Sequence, residues 1–146
     1  MNYGYVGLGN LGGHLAASLI RAGHQVTVYD RDASLAERHA AMGATVVGSA
    51  AEVAAASDHV FTCLPSPAVS EVVLATMMES FRPGATWIEN STLGRDDVLR
   101  LAGLARSAPS MPTAMMTMAI SSLRYSRAAP ARNAMKSSSN MAFAAG

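Results

Sequence analysis

The sequence predicts an α/β protein built on a doubly wound parallel sheet that is incomplete at its C-terminal edge. Three observations carry that expectation. Short apolar runs alternate with helix-period segments from Asn2 onward, a glycine-rich turn separates the first run from the first helix, and the rhythm stops near Arg106. Strands alternating with helices imply parallel pairing, because each return to the sheet needs a crossover, and right-handed crossovers place helices on both faces.

Asn2 to Val6 reads as the first strand, and the helix after the glycine turn carries Leu11, Leu15 and Leu19 at i, i+4 and i+8. Ala22-Gly23 ends that helix. Gln25 to Tyr29 is a second strand with Asp30 at its C-terminal end, followed by a helix from Ala33 to Met42 that Gly43 stops. Thr45 to Val47 is a short third strand, and Ala50 to Ala56 a helix with Ser49 as its N-cap. After the fourth strand, His59 to Cys63, Ser66 and Pro67 supply an N-cap and an N1 proline for a helix running towards Phe81. Pro83-Gly84 turns the chain into the fifth strand, Thr86 to Glu89, and Asp96 to Arg106 forms the last helix. Beyond it no sixth strand is visible.

The 146 residues suffice for one core but not for a second full domain. Half are apolar and 14% charged, with no run approaching the roughly 18 apolar residues of a membrane helix. Met1 to Val6 lacks the basic start of a secretory signal, and Cys63 stands alone, which excludes an internal disulfide and a multi-cysteine metal site. A soluble, cytoplasmic protein is expected, with Cys63 as a small buried apolar residue. His14, His24, His39 and His59 have no metal-ligand spacing and read as structural residues on helix surfaces, turns and strand edges.

Composition divides the chain. Residues 1–106 hold ten acids against seven arginines, whereas residues 107–146 hold three arginines, one lysine and no acid. The second segment also takes six of the ten methionines, with one isoleucine and one leucine. It reads as a low-complexity tail, disordered or loosely helical. Four positive charges with Tyr125 as their only nearby ring do not make a nucleic-acid surface.

The turn itself is Gly7-Leu8-Gly9-Asn10-Leu11-Gly12, a G-x-G-x-x-G pattern leaving a strand and entering a helix, with Asp30 at the end of the next strand. The three glycines play different parts. Gly7 makes the tight turn, Gly9 admits the pyrophosphate, and Gly12 lets helix and strand pack closely. The amides of Asn10 and Leu11 then face the phosphates at a helix N-terminus. Residues 1–106 thus read as a dinucleotide-binding Rossmann unit. Asp30 would accept from the adenosine ribose hydroxyls and repel a 2′-phosphate, favouring NAD, while Arg31 beside it keeps NADP as the alternative.

Three ordered blocks, Gly7 to Asp32, Thr62 to Pro67 and Trp87 to Ala105, resemble the β-hydroxyacid dehydrogenases, a family that includes 3-hydroxyisobutyrate dehydrogenase and the related 6-phosphogluconate dehydrogenases. The resemblance implies hydride transfer between a nicotinamide and a small β-hydroxyacid. It also implies that Leu64 and Pro65 lie along the cofactor and that Ser91 and Thr92 sit near nicotinamide and substrate. The family's catalytic lysine maps to Lys136, the only lysine, with Asn140 at its i+4 position. Pro130 and Arg132 stand where the family's pattern has glycines, Ser139 replaces its first asparagine, and the substrate-binding segment resembling D-A-P-V-S-G-G is absent. A truncated or internally deleted product, or an altered reading frame after about Arg106, accounts for these departures. The chain is therefore expected to be the cofactor half of an oxidoreductase, taking a small-molecule substrate if active and leaving homo-oligomer formation open. The alternatives are a non-catalytic dinucleotide-binding fragment and a partner-dependent interaction module using the methionine-rich tail.

Overall fold

Successive side chains of a strand point to opposite faces, so a sheet covered by helices on both sides must bury both sets. The computed structural model describes residues 1–107 and 115–117. Its elements are β1 (Asn2–Val6), α1 (Asn10–Arg21), β2 (Gln25–Tyr29), α2 (Ala33–Ala40), β3 (Thr45–Val46), α3 (Ala50–Ala56), β4 (His59–Thr62), α4 (Pro67–Met77), β5 (Thr86–Glu89), α5 (Arg95–Arg106) and β6 (Met115–Thr117). The strand order is β3-β2-β1-β4-β5-β6, and every pair is parallel. The chain steps outward from β1 through β2 to β3, then crosses back and steps outward through β4, β5 and β6. Between β1 and β4 lies the switch point, where open α/β sheets place their ligands.

One face buries Val6, Val60 and Trp87 against Val53 of α3, Leu74 and Met77 of α4 and Leu101 of α5. The other buries Tyr5, Val26 and Val28 against Leu8, Ala16 of α1 and Ala36 of α2. Trp87 is wholly inside, and its indole N–H donates to Thr62 Oγ1 at 2.9 Å, satisfying the one polar atom of a large apolar group. The rings of Tyr5 and Phe61 stack with centroids 5.5 Å apart. The expected caps are present: Ser49 Oγ accepts from Glu52 N at 3.2 Å and donates to Glu52 Oε1 at 2.9 Å, and Ser66 Oγ accepts from Val69 N at 3.3 Å with Pro67 opening α4.

The fold class is as the sequence predicts, and three details differ. The sheet is not left without a sixth strand: Met115–Thr117 pairs with β5, in the register Trp87↔Met115 to Glu89↔Thr117. Met-Met-Thr is poor in branched aliphatic side chains, so the backbone ladder, not side-chain propensity, defines this strand. On α1 only Leu19 of the leucine stripe packs against the core. Leu11 and Leu15 are 46% and 37% exposed, and Gly12, Ala16 and Ala17 are buried instead, because small residues let the helix lie close to the strands. His39 is buried at 7% exposure, not on a helix surface. Its Nδ1 lies 2.7 Å from Leu35 O and its Nε2 3.0 Å from Gly13 O, joining α2 to α1.

Candidate cofactor site

The C-terminal ends of β1, β2 and β4 open into a cavity of about 810 Å3, lined among others by Gly7, Gly9, Asn10, Leu11, Gly12, Asp30, Arg31, Leu64 and Pro65. These nine include every loop glycine and come from three separate stretches of sequence. Leu8 points inward and is 2% exposed, contributing its backbone but no side chain.

What surrounds the glycines separates those that the fold requires from the one that it does not. Gly7 has φ +91°, and a Cβ there would strike the Cys63 carbonyl oxygen. A Cβ on Gly12 would strike the Gly7 carbonyl oxygen, which fixes how closely α1 approaches the loop. A Cβ on Gly9 would meet nothing within 4 Å. The absence of a side chain at Gly9 therefore serves no protein neighbour and leaves backbone facing the open cavity, as a pyrophosphate cradle requires. Gly9 is also the N-cap of α1 and provides no side-chain acceptor, so the first-turn amides reach the cavity uncapped.

Asp30 stands beside this turn. Its Oδ2 accepts from Leu8 N at 2.6 Å and its Oδ1 from Asp32 N at 2.8 Å, tying the end of β2 to the glycine loop. Arg31 is exposed at the rim. Cys63 lines the cavity floor half-buried, more open than a core residue. Burial, and then the charge of Glu89, push its thiol above the ordinary range, while the Gly12 backbone amide pulls the other way.

Ser91 and Thr92 are not on the cavity wall. Ser91 is 2% exposed, and its hydroxyl faces Glu89 Oε1 at 2.5 Å, Leu64 N at 2.7 Å and, more distantly, Ser70 Oγ at 3.5 Å. Thr92 is exposed. Lys136 and Asn140 lie outside the described residues. Sequence reasoning missed Val69 and Val72 of α4, which line the cavity although Val72 is 65% exposed. The signal was present: Ser70, Leu74 and Met77 already supply the buried face of α4, so the valines are apolar residues in excess of what packing uses. Among the described residues, no cluster of His, Cys, Asp and Glu could hold a metal ion, and no helix is long and apolar enough to cross a membrane.

A parallel α/β sheet with a glycine turn at its switch point, an uncapped helix behind it and an acid at the end of β2 defines a dinucleotide-binding Rossmann protein. Residues 2–123 match the family described as the NAD binding domain of 6-phosphogluconate dehydrogenase, and the chain belongs to that family. It is 38% identical over 101 residues to the mitochondrial 3-hydroxyisobutyrate dehydrogenase of Drosophila melanogaster, covering 68% of this chain and 31% of that protein. The solved Mycobacterium tuberculosis 3-hydroxyisobutyrate dehydrogenase with L-serine superposes with a TM-score of 0.72 at 32% identity, over 80% of this chain and 38% of that one. An imine reductase from Aspergillus terreus in complex with NADPH4 and dibenz[c,e]azepine gives a TM-score of 0.68 at 28% identity, over 73% and 37% of the two chains. The chain thus spans about a third of the length of the relatives it matches. It carries a nicotinamide-dinucleotide-binding domain similar to that of the 3-hydroxyisobutyrate dehydrogenases.

Proposed function

We propose that the chain binds NAD at the β1/β4 switch point, with the pyrophosphate over Gly9 and the amides of Asn10 and Leu11. The open space in front of Gly9 carries this reading. Each Asp30 oxygen that holds a backbone amide keeps a further lone pair, so the carboxylate takes the adenosine ribose hydroxyls while its charge disfavours a 2′-phosphate. Arg31 is the group that would reverse this preference. Leu11, Val69 and Val72 offer an apolar wall for the adenine, and Leu64 and Pro65 border the nicotinamide side. When bound, the nicotinamide supplies or accepts the hydride. In the complete reaction the substrate is a small β-hydroxyacid, and Lys136 together with Asn140 moves the proton at its oxygen. The lone cysteine favours a cytoplasmic setting.

Fluorescence titration of the purified chain tests the reading. Saturable NADH binding at sub-millimolar concentration is expected, with NADPH binding more weakly. Tighter NADPH binding would move the assignment to Arg31 and NADP, and no saturation with either would overturn it. Turnover of 3-hydroxyisobutyrate that survives Lys136→Ala would remove Lys136 from the mechanism.

A further inference from the structure

Glu89, at the C-terminal end of β5, is a carboxyl group at 0% exposure, and buried polar groups are costly unless they are hydrogen-bonded. Its Oε2 has no hydrogen-bond partner among the described residues. Its Oε1 takes two bonds from a single neighbour, Ser91 N at 2.8 Å and Ser91 Oγ at 2.5 Å. A serine hydroxyl has one proton, and that of Ser91 is donated to Glu89 Oε1. Glu89 therefore fixes the direction of that proton and leaves the lone pairs of Ser91 Oγ free to accept from elsewhere. The amide of Leu64 donates to them at 2.7 Å.

The position of Leu64 gives this bond its meaning. At the C-terminal end of β4, Cys63 N donates to Val6 O at 3.0 Å on the β1 side, and Asn90 N donates to Thr62 O at 2.8 Å on the β5 side. Leu64 N is the next amide along, and a side-chain oxygen stands where a strand carbonyl would be. The β4–β5 ladder is thus extended by one bond into the Leu64-Pro65 segment, which forms part of the cavity wall.

We propose that Glu89 is a positioning residue, which through Ser91 Oγ fixes the Leu64-Pro65 wall against which the cofactor binds. The proposal rests on the cofactor reading given above for what the wall does. It assigns Ser91 an internal role in place of a direct contact with nicotinamide or substrate. The bond to Glu89 polarises the Ser91 hydroxyl and strengthens its hold on Leu64, so the three groups act as one relay.

NADH titration, denaturation midpoints and amide hydrogen exchange on the same samples provide the test. Ser91→Ala and Glu89→Leu are expected to bind NADH about tenfold more weakly than wild type, the scale of one lost hydrogen bond. Glu89→Gln, which keeps an acceptor oxygen for Ser91, is expected to recover most of that affinity. Leu64 N–H in the wild type is expected to exchange as slowly as Cys63 N–H, and Glu89→Leu to accelerate it. Binding by Ser91→Ala and Glu89→Leu within twofold of wild type would overturn the proposal, as would loop-like exchange of Leu64 in the wild type. Should these variants fail to fold, the wild-type exchange rate of Leu64 and the affinity of Glu89→Gln decide the matter. A wild type that binds no NADH would overturn the cofactor reading, while the exchange of Leu64 would still decide whether Glu89 holds the wall.

Discussion

The backbone amide of Leu8 donates to Asp30 Oδ2 at 2.6 Å, so the acid at the end of β2 holds the glycine turn in shape before any ligand arrives. Asp30 is a structural and a binding group at once. Asp30→Ala is expected to lose about 1–3 kcal/mol of stability, since Leu8 N and Asp32 N lose their acceptors together, and to weaken NADH binding by more than the lost ribose contact alone. Denaturant midpoints read the first effect and NADH titration the second. An unchanged midpoint would show that the turn stands without the carboxylate.

Gly9→Ala and Gly12→Ala separate binding from folding. The first puts a methyl into open cavity at φ −61°, so stability is expected to stay within about 0.5 kcal/mol while NADH affinity collapses. The second drives a methyl into the Gly7 carbonyl oxygen and is expected to cost about 1–3 kcal/mol. Circular dichroism melts beside the titration check both. NADH binding retained by Gly9→Ala would place the pyrophosphate elsewhere.

Cys63 borders the cavity with its thiol held in the protonated form by burial and by the charge of Glu89. The thiolate is the reactive species, so iodoacetamide should label Cys63 slowly at neutral pH and progressively faster as the solution becomes alkaline. Bound NADH should protect it. Mass spectrometry of the adduct over time gives both numbers, and a labelling rate that levels off below pH 8 would contradict the direction of the shift.

Tyr5 is fully buried, and desolvation raises its phenol to about 12, against the opposing effect of the Asn90 amide that donates to its oxygen at 3.3 Å. In the unfolded chain the phenol ionises near 10. The folded state binds this proton more tightly, so the stabilisation is complete below about pH 10 and is lost between about pH 10 and 12, at up to about 1.4 kcal/mol per pH unit. Tyr5→Phe should flatten that alkaline decline in urea melts. An unchanged slope would show that Tyr5 does not titrate with unfolding.

Most of the architecture was legible because its signals are local. The Ser49 and Ser66-Pro67 caps, the stops after α1 and α2, and the valine alternation of β2 each depend on a few adjacent residues. The glycine turn and Asp30 were legible for the same reason. What was not legible depends on distance. Leu11 and Leu15 look like a core stripe until the sheet sets how close α1 must lie, and His39 becomes internal only when Gly13 arrives from another helix. Ser91 has the sequence of a ligand-contacting residue, and its inward hydroxyl follows from Glu89 and Leu64, the latter from a different loop. β6 escaped notice because Met115 to Thr117 are specified by the edge of β5, not by their own preferences.

The central place of β1 also sets a timetable. Its pairing with β2, from Asn2↔Gln25 to Val6↔Tyr29, becomes available once the first βαβ unit has left the ribosome. Its other edge waits for Tyr3↔His59 and the three pairs that follow, a much longer stretch of synthesis. Through that interval the nascent chain presents an unpaired edge carrying Tyr3 and Tyr5, a template for pairing with a neighbouring chain. The length of that exposure is set by the stretch of chain between Tyr29 and His59, which separates the two partners of β1.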